Sequence, residues 1–306
     1  MEDIELLQKK VKENPEDYDS LELYAIALSD LGENEEALKH FAFLNEKFPD
    51  NPKILYNIGI ILEKLKYFEK SIVAYSKALK LLPDDLDIKF NLAYVFIAIK
   101  NYDEALKLLL EVIKDDENDA NSYFHLGEIY SKKREHSKAI EYLEKAISLN
   151  NDDVIAKFYL AYEYKAIGQK EKAIDLYNEV IEQNPDYSWA YYNLASIYIE
   201  DDKDDLAMDF LQKTININPQ DKEAITMLVK ILSKHKKFAQ AEKLLKQSMQ
   251  IMPAEADICY LLAQVYKQLK SKINYVKYLK YAQKRKLTFT GDLKKLEDEI
   301  LEADKK

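Results

Sequence analysis

A chain of 306 residues with only 5 glycines and 7 prolines, of which 47% is hydrophobic and 33% charged, has the composition of many amphipathic helices joined by short turns. Its formal net charge of -10 opposes the basic footprint that phosphate backbones require, so we expect no nucleic-acid partner. The N-terminus is acidic, and no run of 18 apolar residues occurs, so we expect a cytoplasmic protein without a membrane partner.

The first predicted element is a short helix that precedes the regular part of the chain. Ile4, Leu7 and Val11 recur at helical spacing within residues 3–14, and Pro15 ends the pattern. We therefore assign residues 1–17 to an N-terminal capping helix whose apolar side covers the start of that regular part.

From Tyr18 to residue 289 the sequence repeats every 34 residues without an insertion. The prolines on this period are Pro15, Pro49, Pro83, Pro185, Pro219 and Pro253. Two series of mostly small residues share it: Ala37, Ser71, Ala105, Ala139, Ala173, Ala207 and Ala241, and Ala25, Gly59, Ala93, Gly127, Ala161, Ala195 and Ala263. We number the positions as slots 1 to 34, with slot 1 at Tyr18. Eight repeats then start at residues 18, 52, 86, 120, 154, 188, 222 and 256.

Each repeat predicts a hairpin of two helices, A and B. At about 100° per residue, slots 4, 7, 8 and 11 form one apolar stripe on helix A, and slots 20, 21, 24 and 28 form another on helix B. Small residues at slots 8 and 20 let the two backbones approach closely. Proline at slot 32 stops helix B. The aspartates at slots 33 and 34 are positioned to cap the next helix A, as with Asp84, Asp85, Asp152 and Asp153.

The last repeat is the least regular. Tyr275 replaces the small residue at slot 20 and is expected to push helix B outward or rotate it. Leu293, Leu296 and Ile300 then predict a final amphipathic helix. We assign residues 290–306 to a C-terminal capping helix that shields the end of the array.

The repeat resembles the tetratricopeptide repeat over about nine-tenths of the chain. The matching features are a large residue at slot 4 in most copies, small residues at slots 8 and 20, an aromatic residue or leucine at slot 11, and proline at slot 32. Lys89 and Lys157 at slot 4 depart from the pattern, as do Glu117 and Asn151 at slot 32. The resemblance implies an all-α, right-handed superhelical solenoid of tandem helix-turn-helix repeats. It also implies a protein-interaction scaffold whose concave groove holds extended peptides or partner helices.

Slots 2, 5, 6, 9, 12 and 13 of helix A lie nearly opposite the core stripe, within an arc of about 120°. We call them the groove face, because this arc lines the groove in the family. In repeats 2 to 6 it carries large rings, an unusual content for a face that a purely structural array could have made polar. They are Tyr56, Phe90, Tyr94, Phe124, Phe158, Tyr159, Tyr162, Trp189 and Tyr192. The alternative is that the slot-5 rings pack against neighbouring helices A, whereas Trp189 is expected to be a binding anchor.

Polar groove-face residues suggest how a ligand is oriented. Asn57, Asn91 and Asn193 occupy slot 6, where an amide can bond to a peptide backbone without reading its sequence. His125 occupies the same slot and is expected to line the groove rather than to act in catalysis. The groove charges are acidic in repeat 1 (Asp19, Glu22, Asp30) and basic in repeats 7 and 8 (Lys230, Lys234, Lys267). A ligand along the whole groove should therefore have a basic end at repeat 1 and an acidic end at repeat 8.

No motif predicts chemistry. The chain has no metalloprotease, nucleophile-elbow, P-loop or dinucleotide-binding signature, so we expect no catalytic residue, cofactor or metal. Cys259, the only cysteine, falls at slot 4 and is expected to be buried. The acidic run at residues 200–205 lacks the pattern of a calcium loop, and Asp204 or Asp205 is expected to cap helix B. No slot 6 is basic, which argues against recognition of an acidic chaperone tail by a carboxylate clamp.

Our leading interpretation is a non-enzymatic adaptor that holds a protein or peptide partner in the groove. The alternative is a regulatory or substrate-docking subunit of a separate enzyme, such as a glycosyltransferase or a secretion or assembly machine. We expect a monomer, and weak homo-oligomerisation is the alternative.

Overall fold

The computed structural model describes residues 4–305, and every regular element in this range is helical. Residues 1–3 and 306, which belong to the two predicted capping segments, lie outside the described residues. The predicted fold class, an all-α fold of tandem helical hairpins, is confirmed.

The helices fall into two alternating series between two flanking helices, α1 (Ile4–Glu13) and α18 (Leu293–Lys305). The A helices are α2 (Tyr18–Asp30), α4 (Pro52–Lys64), α6 (Leu86–Ala98), α8 (Ala120–Lys132), α10 (Val154–Ala166), α12 (Ser188–Glu200), α14 (Lys222–Lys234) and α16 (Ala256–Gln268). The B helices are α3 (Asn34–Lys47), α5 (Phe68–Leu81), α7 (Tyr102–Asp115), α9 (His136–Leu149), α11 (Lys170–Gln183), α13 (Asp204–Ile217), α15 (Phe238–Ile251) and α17 (Lys272–Lys284). A short 3-10 helix, Lys286–Thr288, leads towards α18.

The chain forms two compact units, one up to Ala156 and one from Lys157 onward. In the first unit α1 packs on the first hairpin through Leu7, which joins the core formed by α2 and α3. In the second unit α18 packs on α17, and its Leu296 and Ile300 are buried in the core of the last hairpins. The first and the last hairpin are thus each covered by a single flanking helix.

The core depends on close approach between slot 8 of helix A and slot 24 of helix B. A Cβ atom added at Gly59 would lie 2.5 Å from the Tyr75 ring, and one at Gly127 would lie 2.6 Å from Leu143 Cγ. At slot 20 of the second repeat, the Ser71 hydroxyl donates to the Gly59 carbonyl at 2.8 Å. The predicted small-residue slots therefore lie where two helix backbones meet.

Every turn from an A helix to its B helix contains one residue whose backbone is in the left-handed conformation, with positive φ, at slot 15. Glycine occupies it twice, at Gly32 and Gly168. The other six residues are Lys66, Lys100, Arg134, Asp202, Lys236 and Lys270, with φ between 55° and 62°. The following N–H closes the turn on the carbonyl five residues before it, as in the 2.8 Å bond from Tyr67 to Leu62. A non-glycine residue in this conformation costs about 1–2 kcal/mol, which the repeated turn geometry tolerates.

Some of the expected helix caps form in the structure and others do not. Asp85 and Asp153, at slot 34, accept backbone N–H bonds from the next A helix at 3.0 and 2.9 Å, whereas Asp84 and Asp152, at slot 33, are exposed. The expectation that Asp204 or Asp205 caps α13 is wrong, because the N-cap residue is Lys203 and it makes no side-chain cap bond. Asp204 is the first helical residue, and its carboxylate faces Lys234 at the end of α14 instead.

The two lysines that depart from the repeat pattern at slot 4 are buried. Lys157 Nζ lies 2.8 Å from Glu179 on α11, and Lys89 Nζ lies 3.2 Å from Glu111 on α7. Both ammonium groups reach a carboxylate on the B helix of the same hairpin. The departures are therefore compensated locally by ion pairs.

Candidate protein-binding groove

In the first unit the predicted groove-face rings form a cluster around His125. The ring centroids of Phe90, Tyr94 and Phe124 lie 5.7, 5.5 and 5.1 Å from the imidazole. His125 Nδ1 lies 3.2 Å from a carboxylate oxygen of Glu128 on the same helix. Tyr94 nevertheless remains 43% exposed, so it is the ring of this cluster most open to a ligand.

Tyr56 is tied to the next A helix by a hydrogen bond. The Asn91 amide donates to the Tyr56 hydroxyl at 2.8 Å, and the Tyr56 ring lies 5.8 Å from Tyr75. Burial raises the pKa of Tyr56. Tyr56 and Phe90, both at slot 5, therefore contact neighbouring elements, as the alternative interpretation of this slot expected.

The three slot-6 asparagines share one local bond, because each amide donates to the backbone carbonyl four residues earlier. The distances are 3.0 Å for Asn57, 3.0 Å for Asn91 and 2.9 Å for Asn193. Asn193 is buried, and its oxygen also faces Lys165 Nζ at 3.4 Å. Asn57 and Asn91 are only half-buried, so they are more accessible to a peptide backbone than Asn193.

In the second unit Phe158 is surrounded by other rings. Its centroid lies 5.1 Å from Tyr187, 5.7 Å from Tyr177 and 6.0 Å from Tyr159. Tyr162, one turn further along α10, is 47% exposed. The slot-5 ring is thus packed, whereas the slot-9 ring faces outward, as in the first unit.

Trp189 is the most exposed of the predicted groove rings. Its residue surface is 59% exposed although it stands on a helix whose opposite side is fully buried. Tyr192 lies one turn later and packs edge-on to the indole at 6.2 Å between ring centroids. Burial raises the pKa of the half-buried Tyr192. The two rings form one aromatic surface at the start of α12.

Lys230 and Tyr192 both line a cleft of about 640 Å³ in the second unit. The remaining cleft residues were not among the predicted site residues, although several occupy groove-face slots in repeats 7 and 8. Extending the same arc beyond repeat 6 would have identified Met227, Tyr260 and Leu261. Phe289, which precedes α18, carried no signal in the repeat pattern.

Some predicted groove charges already have partners. Glu22 lies 2.9 Å from Lys53, and Lys234 lies 2.7 Å from Asp204, which is also 2.6 Å from His235 Nε2. These two contacts hold the pKa of Asp204 below its usual range. Fewer groove charges are therefore open to a ligand than the sequence suggested.

A half-buried lysine on the groove face was not predicted. Lys165, at slot 12 of α10, donates to the Ser196 hydroxyl at 2.9 Å, and burial lowers the pKa of its ammonium group. The slot pattern places it on the groove face, but the 34-residue period does not predict its hydrogen bond to Ser196.

Within residues 4–305, no group of three or more His, Cys, Asp or Glu side chains is arranged to hold a metal ion. No helix in the described range has both the length and the apolar character needed to cross a bilayer.

Comparison with protein-family models shows the family to which this chain belongs. The family model described as the Tetratricopeptide repeat protein 21 C-terminal ARM domain matches residues 7–191, which is more than half of the chain. The chain belongs to the tetratricopeptide repeat family. A second model, a Domain of unknown function (DUF7017), matches residues 154–277. No curated protein matches the sequence significantly.

Solved structures resemble this tetratricopeptide repeat protein in fold. A tetratricopeptide repeat protein from Parabacteroides merdae is 16% identical with a TM-score of 0.58, and the match covers 94% of this chain and 98% of that one. YrrB, described as a TPR protein with an unusual peptide-binding site, is 23% identical with a TM-score of 0.52 and coverages of 61% and 96%. MamA from Desulfovibrio magneticus RS-1 is 24% identical with a TM-score of 0.53 and coverages of 56% and 97%. At these identities the likeness concerns the fold alone.

Proposed function

We propose that this protein is a non-enzymatic scaffold that binds an apolar or aromatic segment of a partner protein on the groove face of its A helices. The observation that carries the proposal is the exposure of three large rings on that face. Trp189, Tyr162 and Tyr94 are 59%, 47% and 43% exposed, whereas the rings of the core stripe are buried or half-buried. The peptide-binding site named for the similarly folded YrrB is in keeping with this role. We further propose that the protein acts in the cytoplasm as a monomer, without a nucleic-acid or membrane partner.

The proposal divides the predicted groove residues into anchors and supports. Tyr94, Tyr162 and Trp189 are anchors, because their rings have surface left to bury. Phe90 and Phe158 are supports, because their rings already pack against neighbouring side chains. Aromatic anchors of this kind dominate interface energies, since each buries a large apolar area with few rotatable bonds.

The test uses capture of partners by the full-length protein, followed by affinity measurement for the partner found. Trp189→Ala should weaken binding by about 2 kcal/mol or more, as truncation of an interface hot spot does, without changing helix content. Leu206→Ala is the matched control, because Leu206 is an exposed apolar side chain on the B helix of the same repeat. A partner whose affinity falls with Leu206→Ala but ignores Trp189→Ala would refute the groove assignment.

The identity of the partner separates an adaptor from a docking subunit. Reproducible co-purification with one enzyme, lost in the Trp189→Ala variant, would assign the protein to that enzyme's assembly. Capture of diverse unstructured segments, equally dependent on Trp189, would support the adaptor role.

A further inference from the structure

The cleft in the second unit has an apolar floor and an aromatic wall. Met227 on α14 and Leu261 on α16 both occupy slot 6 and line it. Tyr260 and Phe289 form the wall, with an edge-to-face contact at 5.3 Å between ring centroids. All four side chains are half-buried, so their remaining surface is available to an apolar group.

Most charged groups around this cleft are already engaged. Lys222 Nζ lies 3.3 Å from Glu255. Asp257 accepts hydrogen bonds from the backbone N–H and the hydroxyl of Thr290, at 3.0 and 2.9 Å. These contacts fix the start of α16 and the segment before α18, so they contribute to the shape of the cleft.

At the start of α18, Asp292 accepts backbone N–H bonds from Lys294 and Lys295, at 2.9 and 3.2 Å. The Lys295 side chain lines the cleft and adds a second cation to it. Asp292 is therefore occupied as a helix cap rather than poised for a ligand.

Two opposite charges on α14 remain open to a ligand. Glu223 and Lys230 are exposed, and neither has an ion-pair partner among residues 4–303, whose side chains the structure describes. They are seven residues apart, which places them on one helix face and about 10 Å apart along the axis. Met227 lies between them on the same face. The cleft thus presents a negative group, an apolar floor and a positive group in sequence along one helix.

We propose that this cleft binds an extended partner segment in which a basic and an acidic residue, four positions apart, flank a large apolar residue at the central position, so that all three side chains project from one face of the segment. Four extended residues span about 13 Å, and the flexible side chains of the two charged residues accommodate the difference from the separation of about 10 Å between Glu223 and Lys230. The basic side chain pairs with Glu223, the acidic one with Lys230, and the apolar one packs on Met227 and Leu261. This inference rests on the proposed peptide-binding function and names the class of segment that one part of the groove takes.

The test measures fluorescence anisotropy of labelled 12-residue peptides with the full-length protein at low salt. Two probes contain Lys-Ser-Phe-Ser-Asp or the reverse order, Asp-Ser-Phe-Ser-Lys, between identical Gly-Ser flanks. Two controls replace the charges by Gln and Asn or the phenylalanine by serine. One charged order should bind best. The neutral probe should bind roughly tenfold more weakly, because two exposed ion pairs are lost, and the difference should vanish at high salt.

The decisive variant exchanges the two charges, as Glu223→Lys with Lys230→Glu. It retains the net charge and should reverse the preferred order of the peptide. Lys230→Gln, which leaves the helix start unchanged, should reduce binding of the preferred probe several-fold and leave the neutral probe unaffected. Circular dichroism checks that each variant is folded.

The inference would be overturned if neither charged probe binds. It would also be overturned if the charge exchange does not reverse the preferred order. Either result would leave the proposed function standing if a captured partner still required Trp189. Conversely, charge-ordered binding of the probes together with partners that ignore Trp189 would support the cleft and refute the role of the exposed rings.

Discussion

Substitution of Gly59 by alanine tests the close helix approach at its tightest point. The new Cβ atom would lie 2.5 Å from Tyr75 Cε1, about 1 Å inside an ordinary carbon contact. Tyr75 is fully buried and its hydroxyl donates to Glu63 at 3.3 Å, so the ring has little freedom to move. Overpacking of this kind costs roughly 1–3 kcal/mol, and the better helix propensity of alanine offsets about 1 kcal/mol. We expect a net loss of up to about 2 kcal/mol in the free energy of unfolding.

The assay is urea denaturation followed by far-ultraviolet circular dichroism, with a second background as control. The third repeat carries Ala93 and Leu109 at the same two slots, and both are fully buried. In a Tyr75→Leu background, Gly59→Ala should therefore destabilise the protein less than in the native background, because leucine at slot 24 leaves room for alanine at slot 8 in the third repeat. Equal effects in the two backgrounds, or a stabilising effect in the native one, would refute the argument that slots 8 and 24 compete for the same space.

Further predictions concern packing, local opening, acid sensitivity and thiol reactivity. Ala139→Leu should lower the free energy of unfolding by roughly 1–3 kcal/mol, because slot 20 has no room for a larger side chain, and an unchanged melting temperature would contradict the register. Hydrogen exchange should show residues 256–289 opening before the central repeats, whereas uniform protection would count against a weak last repeat. The bonds to Asp204 lower its pKa, so their stabilisation is complete above the normal aspartate range and should be lost as pH falls below about 4; in Asp204→Asn this acid-dependent loss should shrink. Burial raises the pKa of the Cys259 thiol, so alkylation should be slow in the folded protein and fast in urea, and rapid labelling without denaturant would show that the site opens.

The exposure of the individual groove rings could not be predicted from the sequence. The arc of slots placed Phe158 and Tyr162 on one helix face, but spacing alone could not rank their exposure. Phe158 is surrounded because Tyr177 and Tyr187 reach it from other elements, whereas Tyr162 is not. Asn193 likewise shares slot 6 with Asn57, yet it is buried where Lys165 faces it from the preceding A helix.

The sequence by itself determined the fold class, the 34-residue period and the faces of each helix. These follow from local rules, because small residues, apolar stripes and helix stops recur at distances set by helix geometry. The tertiary structure decided the partner of Asp204 and the existence of the cleft beside Lys230. His235 meets Asp204, and Phe289 lies in the same cleft as Lys230. The members of each pair are about 30 residues or more apart in sequence, and they come together only when successive hairpins stack. Periodicity specifies which side of a helix a residue occupies, whereas the neighbouring side chains determine how much of that side remains open to bind a partner.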